Sequence, residues 1–305
     1  MQNSDATVVL LATEAMPENG GRGAAPVGMA GLVARATPPA GVRLQVEEVA
    51  RIAAEDVDWE VWCALAARVA YHLDRSDVAG VVVFHGIDTL AETAYLLQRV
   101  LAPDKPVVLT TAGRAPALSP GGSGNGLADA VRLATWPGAR GAIAVLDGVL
   151  HGALDARCGS LQPHAAAAAD DPGPLGQIGN GVPTLRHDWP RGEPLGLELL
   201  RQRRPPRVAV VLSHGDADAG VVEALRAQGV DGIVAVAAGS GRLHRRLVAA
   251  LCDARRQGGV RILPGGRGSR DTAAVARDDA FESADALSPG QARIELLLRL
   301  LCAGA

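Results

Sequence analysis

Lys105 is the only lysine among 30 basic residues, so an activating amine has almost no other source in this chain. Aromatic residues make up 3%, so the core has to be built from Ala, Val and Leu. A basic excess is also missing. The formal net charge is −3, which argues against a nucleic-acid partner or an anionic membrane surface. The four cysteines, Cys63, Cys158, Cys252 and Cys302, form no Cys-x-x-Cys pair and do not sit near histidine at metal-ligand spacing. They read as free thiols of a reducing compartment, and they suggest no metal site. No apolar segment reaches the roughly 20 residues of a membrane span. The apolar run Thr7 to Ala12 lacks a basic stretch before it and reads as a first strand rather than a signal peptide. A cytoplasmic protein is the expectation.

What is present is apolar bulk: 48% of 305 residues are hydrophobic, enough for a sizeable core and for two domains. Ala6 to Ala12 reads as a buried strand, and Thr13 to Val27, rich in Gly, Pro and Ala, as a loop at its carboxyl end. Val42, Leu44 and Val46 alternate like a short strand. Glu55 to Leu73 has helical spacing, with Asp56 or Asp58 as N-cap. Strands follow at Gly80–Phe84, Pro106–Thr111 and Gly141–Leu146, separated by helices at Leu90–Leu101 and from Leu127. This alternation predicts an α/β fold with a parallel, doubly wound sheet. His151 to Asn180 reads as irregular. An Arg- and Pro-rich stretch over residues 191–206 is the linker between a larger domain, 1–190, and a smaller one, 207–305. The second domain repeats the strand–helix alternation and closes with a helix from Pro289 to Leu301.

One stretch concentrates chemistry. Val81 to Phe84 is β-branched or aromatic and stops at His85-Gly86, and a helix pattern starts at once, with Asp88 or Thr89 as its N-cap. Polar side chains at a strand's carboxyl end, facing a helix N-terminus, make a ligand pocket in open α/β sheets. Asp88 can be a ligand carboxylate or a cap, and Thr89 reads as a cap hydroxyl rather than a nucleophile. His85 reads as a hydrogen-bonded structural histidine rather than a general base. Glu14 reads as a solvated loop charge, with a base near the pocket as the alternative.

Read together, His85-Gly86-Ile87-Asp88-Thr89-Leu90-Ala91-Glu92-Thr93-Ala94 resembles the His-Gly-Thr-Asp-Thr-x-x-Glu-Thr-Ala signature of the bacterial L-asparaginase (asparaginase/glutaminase) family. Lys105-Pro106-Val107-Val108, Arg114, Gly173-Pro174-Leu175-Gly176, Gly239-Ser240-Gly241 and Leu287-Ser288-Pro289-Gly290-Gln291-Ala292-Arg293 are similar to further family segments, in the family's order. The resemblance implies a two-domain asparaginase-like fold, a larger parallel-sheet domain followed by a smaller flavodoxin-like α/β domain. It implies homodimers or homotetramers, no cofactor, and hydrolysis of an amino-acid amide through an acyl-threonine.

Hydrolysis by that route needs a hydroxyl nucleophile, a proton acceptor and oxyanion donors. The resemblance implies that two threonines, a lysine, an aspartate and a loop tyrosine supply them. Here the family's Thr-Gly-Gly-Thr turn reads Thr13-Glu14-Ala15-Met16, so the nucleophile position is Met16, a thioether. The second threonine position is Ile87, beside an intact Asp88. The lysine position falls by spacing on Arg157, which stays protonated. Asn19 to Gly28 holds no tyrosine. The substrate-binding Gly-Ser-Gln-Asp segment reads Ala53-Ala54-Glu55-Asp56, leaving Glu55 and Asp88 as candidate ligand contacts, and the neighbour-facing Asn position is Arg242. Three readings follow: a catalytically degenerate homologue that binds a small molecule such as an amino-acid amide, or an active partner subunit; an amidohydrolase or lyase of changed specificity using Glu14, His85, Asp88 or Thr89; and an ordinary asparaginase with Thr13 as a shifted nucleophile.

Overall fold

A computed structural model of the chain describes residues 6–14, 16–17, 26–27, 29–111, 126–154, 173–201, 204–237, 242–265 and 287–304. The chain divides into two compact units, Met1–Arg201 and Gln202–Ala305.

The first unit is built on an eight-stranded sheet. Its centre is β1 (Ala6–Glu14), β5 (Val78–Phe84), β6 (Pro106–Thr110) and β7 (Gly141–Leu146), with β4 (Val42–Ile52) at one edge. These strands run parallel. Their sequences are unbroken apolar runs, as strands covered on both faces require. Val8, Val9, Leu10 and Leu11 are all fully buried. Side-chain alternation sends Val8 and Leu10 to one face, where they pack with Val82, Phe84 and the helix α4 (Gly126–Ala134). Val9, Leu11 and then Thr13 turn the other way, toward α2 (Trp59–Leu73) and α3 (Ile87–Leu101).

Local chemistry sets the helix ends. Asp58 is the N-cap of α2 and accepts from the Val61 N–H at 2.9 Å. At the other end, the single lysine donates to the carbonyls of Leu73 and Arg75 at 2.8 and 2.7 Å. Helix C-termini favour such a cation. α3 differs from the sequence expectation. Its N-cap is Gly86, which has no side-chain cap, and Asp88 and Thr89 lie inside the first turn. The reason is Thr89, whose hydroxyl is drawn away to another backbone carbonyl.

The edge strand β4 is longer than the Val42–Val46 alternation suggested, and Glu47 fastens it to α2 through Arg68 at 2.8 Å and His72 at 2.9 Å. Beyond β7 the sheet turns antiparallel through β8 (Val149–Gly152), β9 (Gly176–Gly179) and β10 (Val182–Leu185). Much of this lies where an irregular segment was expected. Two-residue turns with positive φ at both positions make it: Asp147-Gly148 between β7 and β8, and Asn180-Gly181 between β9 and β10. The stretch after β1 also holds more than a loop. β1 itself runs through Thr13 and Glu14, β2 (Met16–Pro17) pairs with β3 (Pro26–Val27), and α1 (Met29–Ala36) follows. Within the expected linker, Leu197–Arg201 is a 3-10 turn with Leu199 and Leu200 buried in the first unit.

The second unit has a three-stranded parallel sheet, β11 (Val208–Leu212), β12 (Gly232–Val236) and β13 (Arg261–Gly265). On one face, Val211, Ile233, Ala235 and Ile262 pack with α5 (Gly220–Ala227) and α6 (Arg245–Arg256). On the other, Val234, Val236 and Leu263 pack with α7 (Pro289–Gly304). Ser288 and Gln291 cap α7 reciprocally, each side chain accepting from the other's N–H. Among the described residues, no helix is long and apolar enough to cross a membrane.

Asp58→Ala removes the acceptor at the start of α2 and is expected to cost about 1 kcal/mol. A lower urea midpoint at unchanged slope measures it; an unchanged midpoint means that Asp58 does not secure the helix.

Candidate functional site

In a parallel sheet of this kind, ligands bind beyond the carboxyl ends of the strands. Three segments meet there in the first unit. β1 ends in Thr13-Glu14, β5 ends in Phe84 and is followed by His85-Gly86 and α3, and a 3-10 turn, Ala54–Asp56, precedes α2. They approach closely because Gly86 has no side chain. A Cβ there would stand 2.0 Å from the Ala54 Cβ and 3.2 Å from a Glu14 carboxylate oxygen.

His85 lies at the junction and is 1% exposed. Its Nδ1 is 2.7 Å from the Thr13 hydroxyl, and its Nε2 is 2.9 Å from Thr93 Oγ1 and 3.1 Å from Thr89 Oγ1. Each hydroxyl is engaged further. Thr13 donates to the Phe84 carbonyl at 3.1 Å, Thr89 donates to the Ala54 carbonyl at 2.9 Å, and Thr93 accepts from the Trp62 indole N–H at 2.9 Å. Burial pulls the His85 pKa down to about 4, a hydrogen bond to the Thr89 backbone offsetting only part of that. At neutral pH the imidazole is uncharged and fully hydrogen-bonded.

Three carboxylates surround this hub. Glu14 is half-buried, while Glu55 and Asp88 are exposed. Burial pushes the Glu14 carboxyl above its ordinary value, and the negative charges of Asp88 and then Glu55 push it the same way. Glu14 is therefore not the solvated loop charge that its sequence suggested. It closes a strand, and its carboxylate lies against Gly86. Ile87, the first residue of α3, is half-buried beside Asp88. Among the described residues, no group of three or more His, Cys, Asp or Glu is arranged to hold a metal ion.

The structure thus brings Glu14, Glu55, His85, Asp88 and Thr89 together. Thr13 has an imidazole within hydrogen-bond reach, but it is 1% exposed and its hydroxyl is held by a backbone carbonyl. Met16 is described only as backbone, paired with Val27 in the β2–β3 hairpin. Arg242 is exposed in the second unit. Arg114, Arg157 and Gly239-Ser240-Gly241 lie outside the described residues. Trp62 and Thr93 were not picked out from the sequence. Thr89 and Thr93 are four residues apart on one helix, a spacing that puts both hydroxyls on the face toward His85 and that the sequence displays.

The shifted groups make a pH prediction. The unfolded His85 takes up a proton near 6.5 and the folded one near 4, so stability present above pH 6.5 is lost as pH falls through that window, by about 3 kcal/mol. Glu14 acts in the opposite sense. Its folded carboxyl holds its proton above the unfolded value of 4.5, so the folded state loses stability as pH rises past it. Glu14→Gln should therefore melt higher than wild type at pH 7, with the difference closing by pH 4. Calorimetric melting points across that range measure both, and a Glu14→Gln protein that melts lower at pH 7 contradicts the assignment.

Comparison with known proteins places this geometry. The family model described as Asparaginase, N-terminal matches residues 11–190. L-asparaginase 2 of Escherichia coli (strain K12) is 29% identical over 268 residues, covering 83% of this chain and 75% of that protein. Glutaminase-asparaginase of Pseudomonas fluorescens biotype A is 31% identical over 227 residues, 71% of this chain and 60% of that one. The crystal structure of a probable cytoplasmic L-asparaginase from Campylobacter jejuni shares the fold, with a TM-score of 0.78 at 24% identity over 97% of this chain and 95% of that chain. The match of the family model over most of the chain, through the strands and turns that form the site, makes this chain a member of the asparaginase family.

Proposed function

We propose that this asparaginase-family chain binds an amine-bearing small molecule, an amino-acid amide or a relative, without hydrolysing it through a threonine. The observation that carries the reading is the state of the hydroxyls beside Asp88. Thr13 and Thr89 both donate to backbone carbonyls, and the residue between Gly86 and Asp88 is Ile87. A hydroxyl held this way lacks an in-place base, because the imidazole that touches it is a weak one, with a pKa of about 4. The only lysine of the chain is committed to the carbonyls of Leu73 and Arg75. The nucleophile and lysine positions read Met16 and Arg157. Losing one member of a nucleophile–base unit typically costs on the order of 10⁴–10⁶ in rate, and here the set is changed together. What favours binding is the acidic side of the cleft, where Asp88, Glu55 and Glu14 offer negative charge to an ammonium group.

A second reading has one observation in its favour. The raised carboxyl of Glu14, half-buried next to Asp88, is what a general base of changed specificity requires. One set of assays separates the two. Wild-type protein should release no ammonia from L-asparagine or L-glutamine above the uncatalysed rate, while L-asparagine should raise its melting temperature and Asp88→Ala should abolish the rise. Met16→Thr with Ile87→Thr should gain turnover that neither single variant has. Ammonia release by wild type that Asp88→Ala abolishes overturns the proposal, and loss of that release in Glu14→Gln selects the second reading.

A further inference from the structure

The three carboxylates of the cleft sit on three separate segments, and each has a chain neighbour in one hydrogen-bond network. Thr13 precedes Glu14, Ala54 precedes Glu55, and Thr89 follows Asp88. With the Thr13 hydroxyl donating to the Phe84 carbonyl, His85 Nδ1–H donates to Thr13, while Nε2 accepts from Thr93 and packs against the Thr89 hydroxyl, which donates to the Ala54 carbonyl. We propose that His85 is a positioning residue of the ligand site: the buried imidazole fixes the spacing of Glu14, Glu55 and Asp88 by tying together the end of β1, the 3-10 turn and the first turn of α3. The inference rests on the reading that these carboxylates receive the ligand's amine.

The need for a brace is physical. Like charges drawn together repel, and two of the three segments have little of their own to hold them. Neither the 3-10 turn nor α3 has a side-chain N-cap, since Ala53 and Gly86 occupy those positions. Close approach is permitted by Gly86 but not enforced by it. The contacts of Thr13 and Thr93 with the ring are buried and those of Thr89 partly so, and buried hydrogen bonds are stronger than in water and costly to leave unmade. An imidazole suits the task, because its two nitrogens lie on different edges of one rigid ring and reach β1 on one side and α3 on the other. Thr93 holds that ring from α3, and Trp62 on α2 in turn donates to Thr93. Since the ring stays neutral, it braces the carboxylates without supplying a counter-charge that would compete with a cationic ligand.

The test follows the Glu14 side-chain carboxyl by NMR through a pH titration of the full chain. Thr89→Val keeps the shape of residue 89 and cuts the tie to Ala54. Lys105→Met serves as a control, because it loosens the same unit at the end of α2 away from the cleft. Thr89→Val and His85→Gln should lower the Glu14 midpoint toward the ordinary carboxylate range, as Glu55 and Asp88 move off, and should weaken L-asparagine binding at least tenfold. Lys105→Met should lower the melting temperature and leave the midpoint in place. A Glu14 midpoint unchanged in folded Thr89→Val overturns the proposal, as does an equal drop in Lys105→Met, which marks general loosening. If wild type binds no L-asparagine but the midpoint still drops in Thr89→Val alone, the ligand reading fails while the positioning role stands.

Discussion

A buried histidine with no carboxylate beside it is held uncharged, and its ring nitrogens then need hydrogen-bond partners within the protein. His85 meets that condition by contacting hydroxyls on two elements, and the rest of the site follows from it. The alternation of β1 and β5 sends Thr13 and His85 to the same face of the sheet, between α2 and α3. α3 begins at Ile87, directly after Gly86, with the imidazole seated beside its first two turns. The parallel sheet positions strand ends in a row, and the histidine decides which side chains at those ends can meet.

That constraint bears on some positions of the site and not on others. The network uses Thr13, Thr89 and Thr93, all drawn inward, with the Thr89 hydroxyl held against a backbone carbonyl. Ile87 and Asp88 lie at helix positions outside the network, so their side chains are not asked to hold anything together. Ile87 is not a partner in any of the hub's hydrogen bonds. The opposite holds for Gly86, where even one methyl group meets Ala54.

Much of the fold was legible in the sequence because parallel, doubly covered strands announce themselves as apolar runs, and β1, β5, β6 and β7 all do so. The antiparallel edge carried its own signal, Asn180-Gly181, which with Asp147-Gly148 supplies the positive φ angles of tight hairpin turns. Reading His151 to Asn180 as irregular gave weight to the run Ala165 to Ala169 and to Gly173-Pro174, while β8 and β9 are only four residues each. The α3 cap was misread for a different reason. Asp and Thr are strong N-caps in isolation, but here Thr89 forms a bond across to Ala54, 35 residues earlier, that no local rule anticipates.

Glu14 shows the same limit from the electrostatic side. A glutamate after a strand, followed by a Gly-rich stretch, has the composition of a solvated turn. Its environment is made instead by residues far along the chain, Gly86 against its carboxylate and Asp88 and Glu55 repelling it. A carboxylate so placed is unfavourable for the free protein, because both burial and like charge oppose its ionisation. The ammonium of the proposed ligand would offset both. It supplies the counter-charge that the hub withholds, and it replaces water at a group that is already partly dehydrated. The electrostatic strain in the empty cleft and the attraction for a cationic ligand are thus one quantity, and relief of that strain on binding is where selectivity for an amine over a neutral or anionic molecule would originate.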